Sequence, residues 1–264
     1  MLTFRSNYVN VNNIKPSDNF QLMSRADKCA CSFVLLSVII NYTQILELGD
    51  FILRDFSPDF FLYTLPAIII ALSFHELAHG YAAYKLGDIT AKNDGRLSLN
   101  PLKHIDPIGL LFIVIFQIGW AKPVMVNPNN LRNPKKDMAI ISMAGPLTNI
   151  LLSILFFVLY LLLSYNPSIP EFAIRFIHSS LIINLVLAIF NLLPIPPLDG
   201  SKVLGSLLPD DLYYKVVMYN PRIGMGILIV LMVTGWLGRI LGPMIQATLG
   251  LYGFVAMLIL GLFS

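Results

Sequence analysis

Charge is what this sequence has least of. Of its 264 residues only 12% are charged, against 56% hydrophobic, and the mean hydropathy is +0.72. An ordinary soluble domain carries about 25% charged residues. A chain of this length could bury one core, but it could not clothe the rest of its surface for water, so lipid must cover part of it. The net charge is +3, and Lys and Arg lie scattered between apolar runs, which leaves nucleic-acid binding without support. The two cysteines, Cys29 and Cys31, are too close for an easy disulfide and lack the companions of a zinc knuckle; they read as reduced thiols near a membrane surface. Histidine and glutamate are scarce too, four and three residues, so any ordered arrangement of them carries weight. There is no repeat of fixed period and no inverted symmetry of the transporter kind.

Long apolar runs make up most of the chain. Residues 1–45 are a polar N-terminal extension, Asn- and Ser-rich over 1–28, with a weak candidate membrane segment at 33–48 that Gln44 and Glu47 make a poor span. Arg25 and Lys28 before Phe33–Ile40 have the order of a signal peptide, but Asn41-Tyr42-Thr43-Gln44 is a poor cleavage site, so no cleaved leader is expected. Residues 46–264 form one membrane-embedded domain. Within it Phe60–Leu86, Met138–Leu163 and Phe172–Leu193 are long enough to cross about 30 Å of hydrocarbon as helices, and 223–238 and 241–263 are further apolar stretches. Ile108–Ile118 is too short to cross and reads as re-entrant. Before it, turn residues surround the alternating Arg96-Leu97-Ser98-Leu99, the pattern of a short β-hairpin. Its exposed edge could pair with an unwound substrate. The expectation is an all-α polytopic membrane protein of five to six transmembrane helices, with a short β-hairpin and re-entrant segment after the first of them. Lys and Arg concentrate in 87–107, 121–137 and 201–222 and are missing from 164–171, which places the first three connectors in the cytoplasm.

His75-Glu76-Leu77-Ala78-His79 carries the chemistry. Two imidazoles at i and i+4 stand on one helix face, where both can reach one zinc ion. The carboxylate between them can meet a zinc-activated water and act as general base, then return the proton to a leaving amine. Ionisable groups inside a spanning helix are costly and mark function. A catalytic zinc also needs a third protein ligand. Asp199 qualifies: it follows a spanning helix through Asn191-Leu192-Leu193-Pro194-Ile195-Pro196-Pro197-Leu198. The prolines end the helix and leave irregular backbone that can aim a carboxylate. Taken alone, an Asp-Gly after prolines is more often a turn; beside the His pair the ligand reading prevails. Asn149 and Asn184 read as interhelical hydrogen-bonding groups, His104 and His178 as loop and packing residues.

These motifs resemble those of the site-2 protease family of intramembrane zinc metalloproteases, in its small bacterial branch without a PDZ domain. The likeness rests on His75 to Gly80, on Ala144-Gly145-Pro146-Leu147-Thr148-Asn149, and on Asn191 through Pro194 to Leu198-Asp199-Gly200, and it spans roughly residues 55–240. It implies an intramembrane metalloprotease domain over 46–264, with one zinc ion per chain on His75, His79 and Asp199 and with Glu76 as the catalytic residue. It further implies that Asn191 orients the substrate backbone or stabilises the oxyanion, and that the Gly145-Pro146 segment lies against the active-site core. The implied partners are the lipid bilayer and transmembrane or signal-peptide-like protein substrates, in a bacterial inner membrane with the site toward the cytoplasm. Two other readings compete. A proteolytically silent helix-binding protein is disfavoured by the intact Glu76, and a zinc-containing transporter would spread ionisable residues over several helices.

Overall fold

The computed structural model describes residues 58–116, 121–209 and 221–262. A π-helical turn, Phe60–Thr64, leads into α1, Leu65–Lys85. Pro66 in the first turn needs no hydrogen-bond partner for its nitrogen. The helix stops where Gly87 takes φ 108°, a left-handed conformation that suits glycine. The connector holds the single turn α2, Thr90–Asn93, and a 3-10 turn at Pro101–Lys103, before α3, Pro107–Phe116. Asp106 caps α3 by accepting from the backbone N–H groups of Ile108 and Gly109. An extended stretch and a second 3-10 turn, Pro128–Asn130, precede α4, Pro134–Leu163. Asn133 caps α4 by accepting from the Lys136 N–H, while Asp137 takes the N–H of Asn133 in return. The remaining helices among the described residues are α5, Glu171–Asn191; α6, Asp199–Ser206; α7, Pro221–Val233; and α8, Trp236–Leu262.

Among the described residues, four helical stretches are long and apolar enough to cross a membrane: Phe60–Lys85, Pro134–Leu163, Glu171–Asn191 and Trp236–Ile259. Their outward faces carry large apolar side chains, among them Leu151, Leu162 and Phe254, each more than half exposed, which is what lipid rather than water would cover. Inside, α4, α5, α7 and α8 share one core built on Phe157, Leu185, Leu228, Leu241 and Ile245. α1 packs against α5 through Ala67, Ala71 and Ile183, and against the base of α4 through Ala83 and Ile141. Alanines on α1 let the helices approach closely where the site lies.

Three expectations differ from what the described residues show. The count of five to six spans is not reached among the described residues: α3, at 10 residues, reaches only about 15 Å at 1.5 Å per residue, and α7, at 13 residues, about 20 Å. The weak crossing at 33–48 and the extension 1–45 lie outside the described residues. The hairpin is absent as well. Arg96 is buried, and its guanidinium donates to the carbonyls of Lys103 and Lys122, so the segment wraps around the arginine instead of pairing as strands. Among the described residues the only β pairing is an isolated antiparallel bridge, Ile105 with Ala121. The two C-terminal helices are divided at Gly235, φ 72°, earlier than the break expected between 238 and 241.

Loop order on this side depends on Asp88, which is fully buried. Its carboxylate accepts from the Thr90 N–H and hydroxyl, the Asn130 amide and the Asn127 N–H, and so joins the end of α1 to the segment before α4. Burial would raise its pKa, but these hydrogen bonds outweigh burial and hold the carboxyl below its ordinary range.

Candidate metal centre

His75 and His79 lie one turn apart on the buried face of α1, with ring centroids 4.6 Å apart. His79 Nδ1 lies 2.7 Å from the carbonyl oxygen of Ile141. A carbonyl only accepts, so Nδ1 carries the proton and Nε2 of the neutral ring is a bare lone pair. That Nε2 stands 3.0 Å from His75 Nε2 and 3.1 Å from Asp199 Oδ2, and His75 Nε2 is 3.2 Å from the same oxygen. All three residues are buried.

Their convergence is a matter of tertiary structure, because 124 residues separate His75 from Asp199. Helix α5 ends at Asn191, and the proline-bearing turn that follows brings the chain back on itself. Gly200 sits so close to the Leu192 carbonyl that a Cβ there would collide with it. Asp199 therefore begins α6 with its carboxylate turned under α1. Lys202 Nζ, one turn along, lies 3.4 Å from the other carboxylate oxygen.

The residues fit a metal ion. Around a tetrahedral ion with bonds of about 2.0–2.1 Å, ligand atoms stand roughly 3.3 Å apart, close to the 3.0–3.2 Å found between these three. A lone pair and a carboxylate oxygen at that distance repel unless a cation or a shared proton lies between them. Gly145 of α4 closes the site: a Cβ there would lie 2.5 Å from His79 Nε2 and 2.6 Å from His75 Cε1. Two nitrogens and one oxygen, with a position left for water, form the donor set of a catalytic zinc rather than a structural one.

Glu76 points to another side of α1. It is half-buried, and its Oε2 accepts from the Val124 N–H at 2.9 Å. It thus lies next to His75 in the chain yet faces the extended segment after Ala121. Asn191 stands at the end of α5, where its Nδ2 donates to the Leu187 carbonyl one turn earlier at 3.0 Å. His178 stacks edge-on against Tyr160 at 5.5 Å, away from the trio. The structure thus brings together His75, His79 and Asp199, with Glu76 next to His75 in the chain, and gives Asn191 a hydrogen bond to the Leu187 carbonyl.

Comparison with known proteins identifies the family. The chain is 39% identical to YwhC of Bacillus subtilis over 190 residues, which is 70% of this chain and 86% of that protein. The chain belongs to peptidase family M50. The family model matches residues 165–231, which include Asn191 and Asp199. Rip2 of Mycolicibacterium smegmatis is 30% identical over 68% of this chain and 70% of its own length. MJ0611 of Methanocaldococcus jannaschii is 33% identical over 57% of this chain and 73% of its own length. All three relatives are provisionally named zinc metalloproteases. No solved structure gives a significant match.

Sequence reasoning missed three contacts. Val124 as the partner of Glu76 has no local signal, since the two are 48 residues apart. Lys202 beside Asp199 could have been found from its i, i+3 spacing on a helix. Asn149, read as interhelical glue, lies 2.6 Å from His75 Nδ1.

Proposed function

We propose that this chain is an integral-membrane zinc endopeptidase that hydrolyses peptide bonds within or near the transmembrane segments of its substrates. The reading is carried by one observation: His75 Nε2, His79 Nε2 and Asp199 Oδ2 converge to within 3.2 Å, on and beside helices of membrane-crossing length, next to Glu76. His75, His79 and Asp199 would hold the zinc. When bound, it supplies Lewis acidity that makes water nucleophilic near neutral pH. Glu76 accepts the proton of the attacking water and returns it to the amine leaving group. Asn191, at the mouth of the α5–α6 turn, would donate to the substrate backbone or the developing oxyanion in place of its bond to Leu187.

Depth follows from the helix. The two histidines stand ten and six residues before Lys85, the end of α1, or about 15 and 9 Å from it along the axis. Because the basic connectors are cytoplasmic under the positive-inside rule, the metal lies in the cytoplasmic half of the bilayer. The substrates are transmembrane or signal-peptide-like segments in a bacterial inner membrane. The test is Glu76→Gln in liposomes carrying a transmembrane reporter. The variant should keep one equivalent of zinc and lose cleavage by at least about 100-fold; unchanged cleavage would sink the mechanism.

A further inference from the structure

The two ligand histidines are held in different ways. His79 Nδ1 meets a backbone carbonyl directly, whereas His75 Nδ1 meets a side chain, the Asn149 Oδ1, at 2.6 Å. An amide can turn over and present either its oxygen or its nitrogen, so this contact by itself would leave the His75 tautomer open. Something further must decide which atom of Asn149 faces the ring.

The neighbours of Asn149 decide it. Asn184 of α5 donates from Nδ2 to the Ser180 carbonyl at 2.8 Å, which leaves its Oδ1 facing Asn149. Asn149 therefore presents Nδ2 there, at 2.9 Å, and the same Nδ2 lies 3.3 Å from a second acceptor, the Ala71 carbonyl on α1. Both hydrogens of the Asn149 amide are thus directed at oxygens that cannot donate to it. Its Oδ1 must face His75, Nδ1 must carry the imidazole proton, and Nε2 must be the bare nitrogen that points at Asp199. Both asparagines are fully buried, so water does not compete for these bonds.

We infer that Asn149 and Asn184 are positioning residues that transmit the polarity of two backbone carbonyls, Ser180 and Ala71, to His75 and lock its Nε2 in the metal-binding tautomer. This rests on the proposed zinc site. A carboxylate is the commoner partner for a metal-bound imidazole. Here, with Asp199 and Glu76 already balancing a divalent ion, a third carboxylate would leave an unpaired charge in an apolar interior. Two neutral amides orient the ring without that charge. The relay also explains a polar pair at the junction of α1, α4 and α5, which interhelical bonding alone would not require to touch the histidine.

The experiment reads the tautomer and the metal separately. In zinc-free, 15N-histidine-labelled protein near pH 8, the neutral His75 ring should show the proton on Nδ1. A proton on Nε2 in the wild type would overturn the relay, with no variant needed. Zinc affinity is then measured by chelator competition in Asn149→Leu, Asn184→Leu, Asn149→Asp and Asn184→Asp. The leucine variants should bind zinc about ten- to a hundred-fold more weakly. The aspartates keep an acceptor in the same place and so should preserve the Nδ1–H tautomer, while the added buried charge and the lost amide donors lower the melting temperature. Leucine variants with wild-type zinc affinity and only a lowered melting temperature would mean that the pair is packing, and the inference would fall. Because the tautomer is read without metal or substrate, it can stand if the chain cleaves nothing. Equally, it can fail in a chain that is an active protease.

Discussion

Two faces of one helix do different work in this protein. On the buried face of α1, His75 and His79 are enclosed, each Nδ1 has a named partner, and Gly145 presses against both rings. Around the other side, Glu76 is only half-buried and rests on one backbone N–H from an extended loop. A metal site gains from supports that leave its ligands one arrangement. The general-base role proposed for Glu76 would require it to exchange its partner for water and substrate in each turnover, and a single replaceable hydrogen bond suits that role. On that proposal, one face stays fixed and the other is exchanged.

The contrast can be broken first at Gly145. Replacing it by Ala puts a methyl group against both imidazoles, and zinc affinity should fall by more than about 100-fold with activity lost in parallel; a full metal equivalent in Gly145→Ala would refute the enclosed face. Next is Gly224, whose absent side chain lets α7 lie against the Pro196 carbonyl in the turn that delivers Asp199. Gly224→Ala must displace the helix or the turn, at about 1–3 kcal/mol of stability, and titration with a chelator should show weakened zinc binding as well. A smaller effect is expected on the exchangeable face: Val124→Pro removes the N–H that meets Glu76. It should lower kcat by roughly ten-fold while leaving the zinc content whole, and a drop in zinc content would show that the two faces are not independent.

The smallest effect on catalysis belongs to Asp88. Asp88→Ala should cost about 1–3 kcal/mol by leaving buried donors unpaired, seen as a lower melting temperature with zinc binding nearly unchanged. The pH dependence has a definite sign. Because the folded carboxyl has a pKa below the ordinary value, its stabilisation is complete above about pH 4 and is lost as the pH falls through the folded value. The wild type should lose stability over that acidic window more steeply than Asp88→Ala.

Much of this site was legible without a structure, and the reason is locality. His75, Glu76 and His79 fall in a five-residue window, and helical periodicity alone puts the imidazoles on one face. Span lengths are likewise a count of apolar residues against a bilayer of about 30 Å. The hairpin was misread because the alternation in Arg96-Leu97-Ser98-Leu99 is a local cue. What overrode it was non-local: the Arg96 guanidinium collects the carbonyls of Lys103 and Lys122 and folds the segment around itself. Asn149 was undervalued for the same reason, since only its partners on α1 and α5 reveal which way its amide points.

What the sequence by itself determined was the chemistry at hand: two imidazoles and a carboxylate at helical spacing, an aspartate after a proline-broken helix, and enough apolar length to place them in lipid. What tertiary structure alone decided was their arrangement, down to the 3.0–3.2 Å between Nε2, Nε2 and Oδ2, the glycine against the rings, the amides that orient His75, and the separate direction of Glu76. Residue spacing along one helix is a property of the chain. Distances between α1, α4 and the turn before α6 exist only once side chains on all three have been packed together.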